Sequence, residues 1–177
     1  MKIVKIILGI IVVVVLLVLV IALIMGKDYT VEREIVINKP KQQVFDYIKQ
    51  LKNQDNYSKW NMQDPNMKKD FKGTDGTVGF VYAWDGNDKA GKGEQEIQQI
   101  NNGESITTEL RFIKPFVGEA HTTMYTDAIS ENQTKVRWSF SSSMPYPMNI
   151  MKPFVVKMLS ADQDLSLQNL KAQLEKQ

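Results

Sequence analysis

The chain has 177 residues, 43% hydrophobic and 24% charged, with no cysteine, which excludes a disulfide scaffold, a thiol nucleophile and cysteine-based metal ligation. All 20 acidic residues follow residue 26, whereas Lys2 and Lys5 precede it. The remainder is therefore formally neutral and lacks the basic excess that drives non-specific nucleic-acid binding.

From Ile6 to Met25 only Gly9 is not hydrophobic. As a helix this stretch spans about 30 Å, the thickness of a bilayer's hydrocarbon core. A cleaved signal peptide would need a shorter apolar run and a small-residue cleavage site, but Leu23-Ile24-Met25 is bulky. A buried globular helix would show a polar face, which this segment lacks. An uncleaved anchor at residues 1–26 fits best, contacting the bilayer through residues 6–25. Lys2 and Lys5 precede the span, and Lys27 follows it beside Asp28. The positive-inside rule then keeps the N-terminus cytoplasmic and places a single domain, residues 27–177, on the other side.

Thr30 to Asn38 alternates, with Val31, Ile35 and Ile37 on one face, and predicts a strand. Pro40 suits the start of a helix whose apolar stripe is Val44, Phe45, Ile48 and Leu51. Residues 52–70 are polar apart from a few apolar side chains such as Tyr57 and Trp60, and predict a short second helix and a loop. Period-two strands follow at Thr77–Trp84, Gly91–Ile100, Ser105–Ile113, Gly118–Ile129 and Thr134–Ser143. Turn chemistry such as Asp85-Gly86-Asn87 and Asn101-Asn102-Gly103 separates them, at spacings too short for crossover helices. The sheet is therefore an antiparallel meander. After Pro147 a long terminal helix carries the stripe Phe154, Met158, Ala161 and Leu165, widened by Leu167, Leu170 and Leu174. The expected fold class is α+β: a curved antiparallel sheet wrapped around the C-terminal helix, with space for a ligand between them.

Several stretches carry a family resemblance. Val31 to Pro40 followed by Val44-Phe45, Tyr57-Ser-Lys-Trp60, Gly73 to Gly79 with Tyr82-Ala-Trp84, Gly91 to Ile97, and Thr134-Lys-Val-Arg-Trp138 are similar in order and spacing to the SRPBCC superfamily. That superfamily comprises the helix-grip domains of START, birch-pollen-allergen and polyketide cyclase-like proteins. Gln133 replaces a glycine common in the last motif. The resemblance covers residues 29–175 and implies binding of an apolar or amphipathic small molecule, a lipid among them. In some members it implies cyclisation or dehydration.

The candidate ligand-binding residues are Trp60, Phe80, Tyr82, Trp84, Phe112, Trp138 and Phe140, although ordinary core packing explains the same alternation. Met144 and Met158 join them from a segment that also holds Met148 and Met151, flexible side chains suited to a cavity rim or to packing on the last helix. No catalytic set, metal site or cofactor motif is evident. His121 is the only histidine, and Gly73-x-x-Gly76 is not followed by a phosphate-binding helix. A cyclase-like enzyme would draw its acid–base group from Glu96, Arg111, Tyr125 or His121. A cavity below about 300 Å³ would instead favour an interaction module with a filled core.

Overall fold

The computed structural model describes residues 2–176. Met1 and Gln177, the outer limits of the two expected segments, lie outside the described residues. Helix α1 (Lys2–Ile24) is apolar on every face and exposed along nearly its whole length, with Ala22 its one buried residue. It is long and apolar enough to cross a membrane by length and composition.

Strand β1 (Asp28–Ile37) follows, then α2 (Lys41–Ile48), which Pro40 immediately precedes. In place of the expected second helix, 3₁₀ turns form at Leu51–Asn56 and Asn61–Gln63. The remaining strands are β2 (Lys68–Lys72), β3 (Val81–Asp85), β4 (Lys92–Asn101), β5 (Ser105–Lys114), β6 (Gly118–Ser130) and β7 (Gln133–Ser143). They form one curved antiparallel sheet in the order β1-β7-β6-β5-β4-β3-β2, wrapped around α3 (Lys152–Glu175) in a helix-grip arrangement.

Three expectations are corrected. The polar stretch KKDFK is a strand, β2, exposed at all five positions, so it carries no buried alternation to mark it. Its extended form follows from pairing with β3, Lys68 opposite Asp85 and Lys72 opposite Val81. Strand β3 starts at Val81 rather than Thr77, because Gly73, Gly76 and Gly79 hold positive φ and Phe80 N–H closes a turn onto the Thr77 carbonyl. The stripe Phe154, Met158, Ala161 and Leu165 faces outward. The buried face of α3 is instead Ser160, Gln163, Ser166, Leu167, Leu170 and Leu174.

The register defines two ends. Asp28 pairs with Ser143, Gly118 with Phe112, and Lys92 with both Lys114 and Asp85, so these residues share the end where α1 joins. This near end also receives the start of α3, whose Lys152 ammonium donates to the Gly26 and Asp28 carbonyls. At the far end the Glu175 carboxylate accepts from the Asn38 backbone N–H at 2.7 Å. Far-end packing is dense: Ile37, Val44, Ile48, Tyr57, Val136, Leu167, Leu170 and Leu174 form one buried cluster.

Candidate functional site

Toward the near end the interior is not filled. A cavity of about 140 Å³ lies between the sheet and α3. Its aromatic wall is Trp60, Tyr82, Trp84, Phe112, Trp138 and Phe140, six of the nine residues expected from the sequence. Strand parity explains five of them, Trp60 coming from the turn before Asn61–Gln63. Tyr82 and Trp84 of β3, Leu110 and Phe112 of β5, and Trp138 and Phe140 of β7 alternate onto the inner face with fully buried neighbours such as Ile97 and Val136.

The other three expected residues do not line it. Phe80 is buried near the far end, stacked on Phe71 with ring centroids 6.2 Å apart. Met158 lies on the outer face of α3. Met144 follows β7, its N–H bonded to the Lys27 carbonyl at 3.0 Å.

Helix α3 leaves the hollow open by the size of its side chains. Where leucines would fill the space it offers Gln163 and Ser166, with Leu159 and Asp162 beside them. Ser166 Oγ accepts from the Lys59 N–H at 2.9 Å and donates to the Asp162 carbonyl at 2.7 Å, so its one proton is committed within the protein. Lys59 and Asp162 pair at 3.0 Å beside the opening. On the opposite wall Gly93 has no side chain, and a Cβ there would come within 2.7 Å of the Trp84 ring. The indole lies over this strand, donating Nε1–H to the Ala90 carbonyl at 3.2 Å and meeting Phe112 edge-on at 6.1 Å.

Two polar arrays complete the walls, and the sequence reading passed over both. Gln95, Thr108 and Thr122, on adjacent strands β4, β5 and β6, form a buried ladder. The Gln95 amide donates to Thr108 Oγ1 at 2.7 Å, and the Thr108 and Thr122 hydroxyls lie 3.0 Å apart. Their strand parity matches that of Ile97 and Met124, and this was the available signal. At the rim, the Tyr82 hydroxyl donates to Asp55 Oδ1 at 2.6 Å, Asn61 donates to both, and Lys69 of β2 pairs with Asp55 at 2.7 Å. Burial pushes the Tyr82 hydroxyl well above its ordinary pKa, and the Asp55 hydrogen bond adds to that. Burial works to raise Asp55, but its bonds from Lys69, Tyr82 and Asn61 outweigh it and hold the carboxyl below its usual range.

Buried polar atoms without protein partners occur on three cavity-lining residues: Trp60 Nε1, Trp138 Nε1 and Gln163 Oε1. Each such atom costs about 1–3 kcal/mol unless something satisfies it.

The four acid–base candidates stand elsewhere. Glu96 and Arg111 belong to an outward-facing ion-pair cluster in which Arg111 meets Glu94, Glu96 and Glu109 at 2.7, 2.7 and 2.5 Å. These hydrogen bonds, Glu96 first, raise the Arg111 pKa further. His121 is exposed on β6, and the Tyr125 ring lies under the Arg137 guanidinium on the outer face. Among the described residues no group of histidine and carboxylate side chains could hold a metal ion.

A seven-stranded antiparallel sheet gripping a long terminal helix, hollow at one end, defines an SRPBCC domain of the Bet v 1-like type. The chain belongs to the polyketide cyclase/dehydrase and lipid transport family, whose model matches residues 28–175. Among solved structures, norcoclaurine synthase from Thalictrum flavum, in complex with dopamine and hydroxybenzaldehyde, is 11% identical with a TM-score of 0.64, covering 89% of this chain and 92% of that one. A protein from Mesorhizobium loti is 16% identical with a TM-score of 0.63, covering 84% and 98%. Ara h 8.0201 is 12% identical with a TM-score of 0.57, covering 85% and 99%. At these identities the likeness is one of fold. No curated protein matches the chain significantly.

Proposed function

We propose that the protein is a membrane-tethered, non-catalytic binding domain that takes an apolar or amphipathic small molecule into the near-end hollow. The tether is α1, spanning the bilayer, with Lys2 and Lys5 favouring a cytoplasmic N-terminus and residues 27–177 on the other side. The observation that carries the reading is the unfilled volume itself, walled by six aromatic side chains where α3 presents Gln163 and Ser166.

Size narrows the guest. About 140 Å³ is close to the volume that admits a benzene-sized molecule and below the roughly 300 Å³ of pockets for drug-sized ligands. The guest is therefore a single ring or a short stretch of acyl chain, and an enclosed whole lipid is not supported. The unpartnered Trp60 and Trp138 N–H groups and the Gln163 carbonyl suit a guest with one polar end. The small volume also favours a second reading, an interaction module whose interior is effectively full.

Trp60, Trp84 and Trp138 are the chain's only tryptophans, and all three line the hollow, so intrinsic fluorescence reports on it. The full chain in nanodiscs is titrated with bromobenzene, a heavy-atom quencher of single-ring size. Saturable quenching that disappears in Leu159→Phe, which fills the space, supports binding. Unsaturable quenching identical in both proteins leaves the second reading standing.

A further inference from the structure

The near end carries a second unexplained feature, on its outside. The β5–β6 hairpin ends in Phe116 and Val117, the latter 89% exposed. The register puts this tip at the same end of the sheet as Asp28, where α1 joins. On the other side of the junction, Met148 and Met151 of a 3₁₀ turn and Phe154 and Met158 of α3 face outward, Phe154 at 63% exposure. Clustered apolar exposure of this kind marks an interaction surface.

What covers it follows from its attachment. The 3₁₀ turn is fastened to α1: Asn149 donates its amide to the Ala22 and Met25 carbonyls, and Lys152 donates to Gly26 and Asp28. Helix α1 meets the domain chiefly at this turn and is otherwise exposed, so it projects away from the near end. Only Met25, Gly26 and Lys27 separate α1 from β1.

We propose that the near end is a lipid-docking surface, with the Phe116–Val117 tip and the Met148–Met158 segment seated in the headgroup and upper acyl region of the leaflet that α1 leaves. The proposal rests on α1 being a membrane span. Given that span, the three-residue connection holds both apolar features at the bilayer surface. Lys27, Lys92, Lys114, Lys152 and Lys157 lie on or beside them, with Asp28, Asp85 and Glu119 the nearby acids and Asp85 paired with Lys92, a small basic excess that suits a zwitterionic surface carrying some anionic lipid. Seated this way, the domain turns its hollow half toward the acyl chains.

The chain lacks cysteine, so single-cysteine variants take one label each. Full-length Val117→Cys, Phe154→Cys, Val14→Cys and Val78→Cys are labelled with bimane. They are reconstituted in phosphatidylcholine vesicles containing phosphatidylglycerol and a nitroxide lipid. Val78 is the control: it is 61% exposed but belongs to the β2–β3 connection at the far end. The expected result is loss of most bimane emission at positions 14, 117 and 154, and none at 78. If position 14 is quenched but 117 and 154 behave like 78, docking is refuted while the span stands. If 117 and 154 are shielded from water without lipid quenching, a second copy or another protein covers the face, and the proposal is again refuted. If position 14 is unquenched, the span itself fails and the docking falls with it.

Discussion

Asn149 is completely buried, and its side-chain amide donates to the carbonyls of Ala22 and Met25, each at 2.6 Å. The last carbonyls of any helix lack intrahelical partners, so a side chain more than a hundred residues away supplies the C-terminal cap of α1. Replacing it leaves buried carbonyls unpaired at a cost of about 1–3 kcal/mol. Asn149→Ala is expected to lower the domain's unfolding temperature. It should also speed tryptic cleavage at Lys27 in the folded protein. An unchanged cleavage rate would show that the cap does not fix the junction.

Asp55 provides the pH dependence. Its folded pKa is depressed, so its contribution to stability is present above the unfolded carboxylate pKa of about 3.9 and is lost as pH falls through the folded value. Chemical denaturation of wild type and Asp55→Asn should differ most at neutral pH. The difference should close in acid, below about pH 4. A gap independent of pH would mean that the carboxylate's charge is not what Lys69 and Tyr82 hold.

The ladder beneath the cavity separates inner from outer hydroxyls. Thr108→Val removes the partner shared by Gln95 and Thr122, both buried, and is expected to cost about 1–3 kcal/mol. Thr107→Val, one position along, removes a partly buried hydroxyl pair with Thr123 at 3.1 Å and should change stability by less than about 0.5 kcal/mol. Equal effects in equilibrium unfolding would contradict this division of the two faces.

Helix α3 gives a paired test of orientation. Leu170→Ala opens a void in the packed far-end cluster and should cost about 2–5 kcal/mol. Leu165→Ala, at an outward-facing position, should stay within about 0.5 kcal/mol. Thermal melts of the two variants decide it, and a loss in Leu165→Ala as large as that in Leu170→Ala would restore the stripe read from the sequence.

That stripe shows where sequence reading stops. Strands β4 to β7 were legible because inner and outer positions alternate over most of their length, bulges such as that at Ile97–Gln99 aside, and turn residues punctuate them. Five of the six aromatic wall residues followed from the same parity, Trp60 standing in a turn instead. In α3 the rule that the apolar face turns inward failed at Phe154 to Leu165. The inner face there borders a hollow rather than a core, and Gln163 and Ser166 occupy it. Strand β2 escaped notice for a related reason, since an edge strand with nothing buried has no hydrophobic period and exists through its partner alone. Asp55, Asn61 and Lys69 sit in a polar stretch with no periodicity to single them out, and only the fold gathers them around Tyr82.

Strand β2 ends the sheet with Lys68, Lys69, Asp70 and Lys72, all exposed. Unpaired rims of β-structure recruit one another, and charged side chains, lysine above all, discourage it. On a bilayer every copy of a tethered domain would stand in the same orientation, its free rim at a common height, a geometry that invites sideways polymerisation. Under the proposed tether, the three lysines of KKDFK would set like charges against one another along this rim and disfavour such contact.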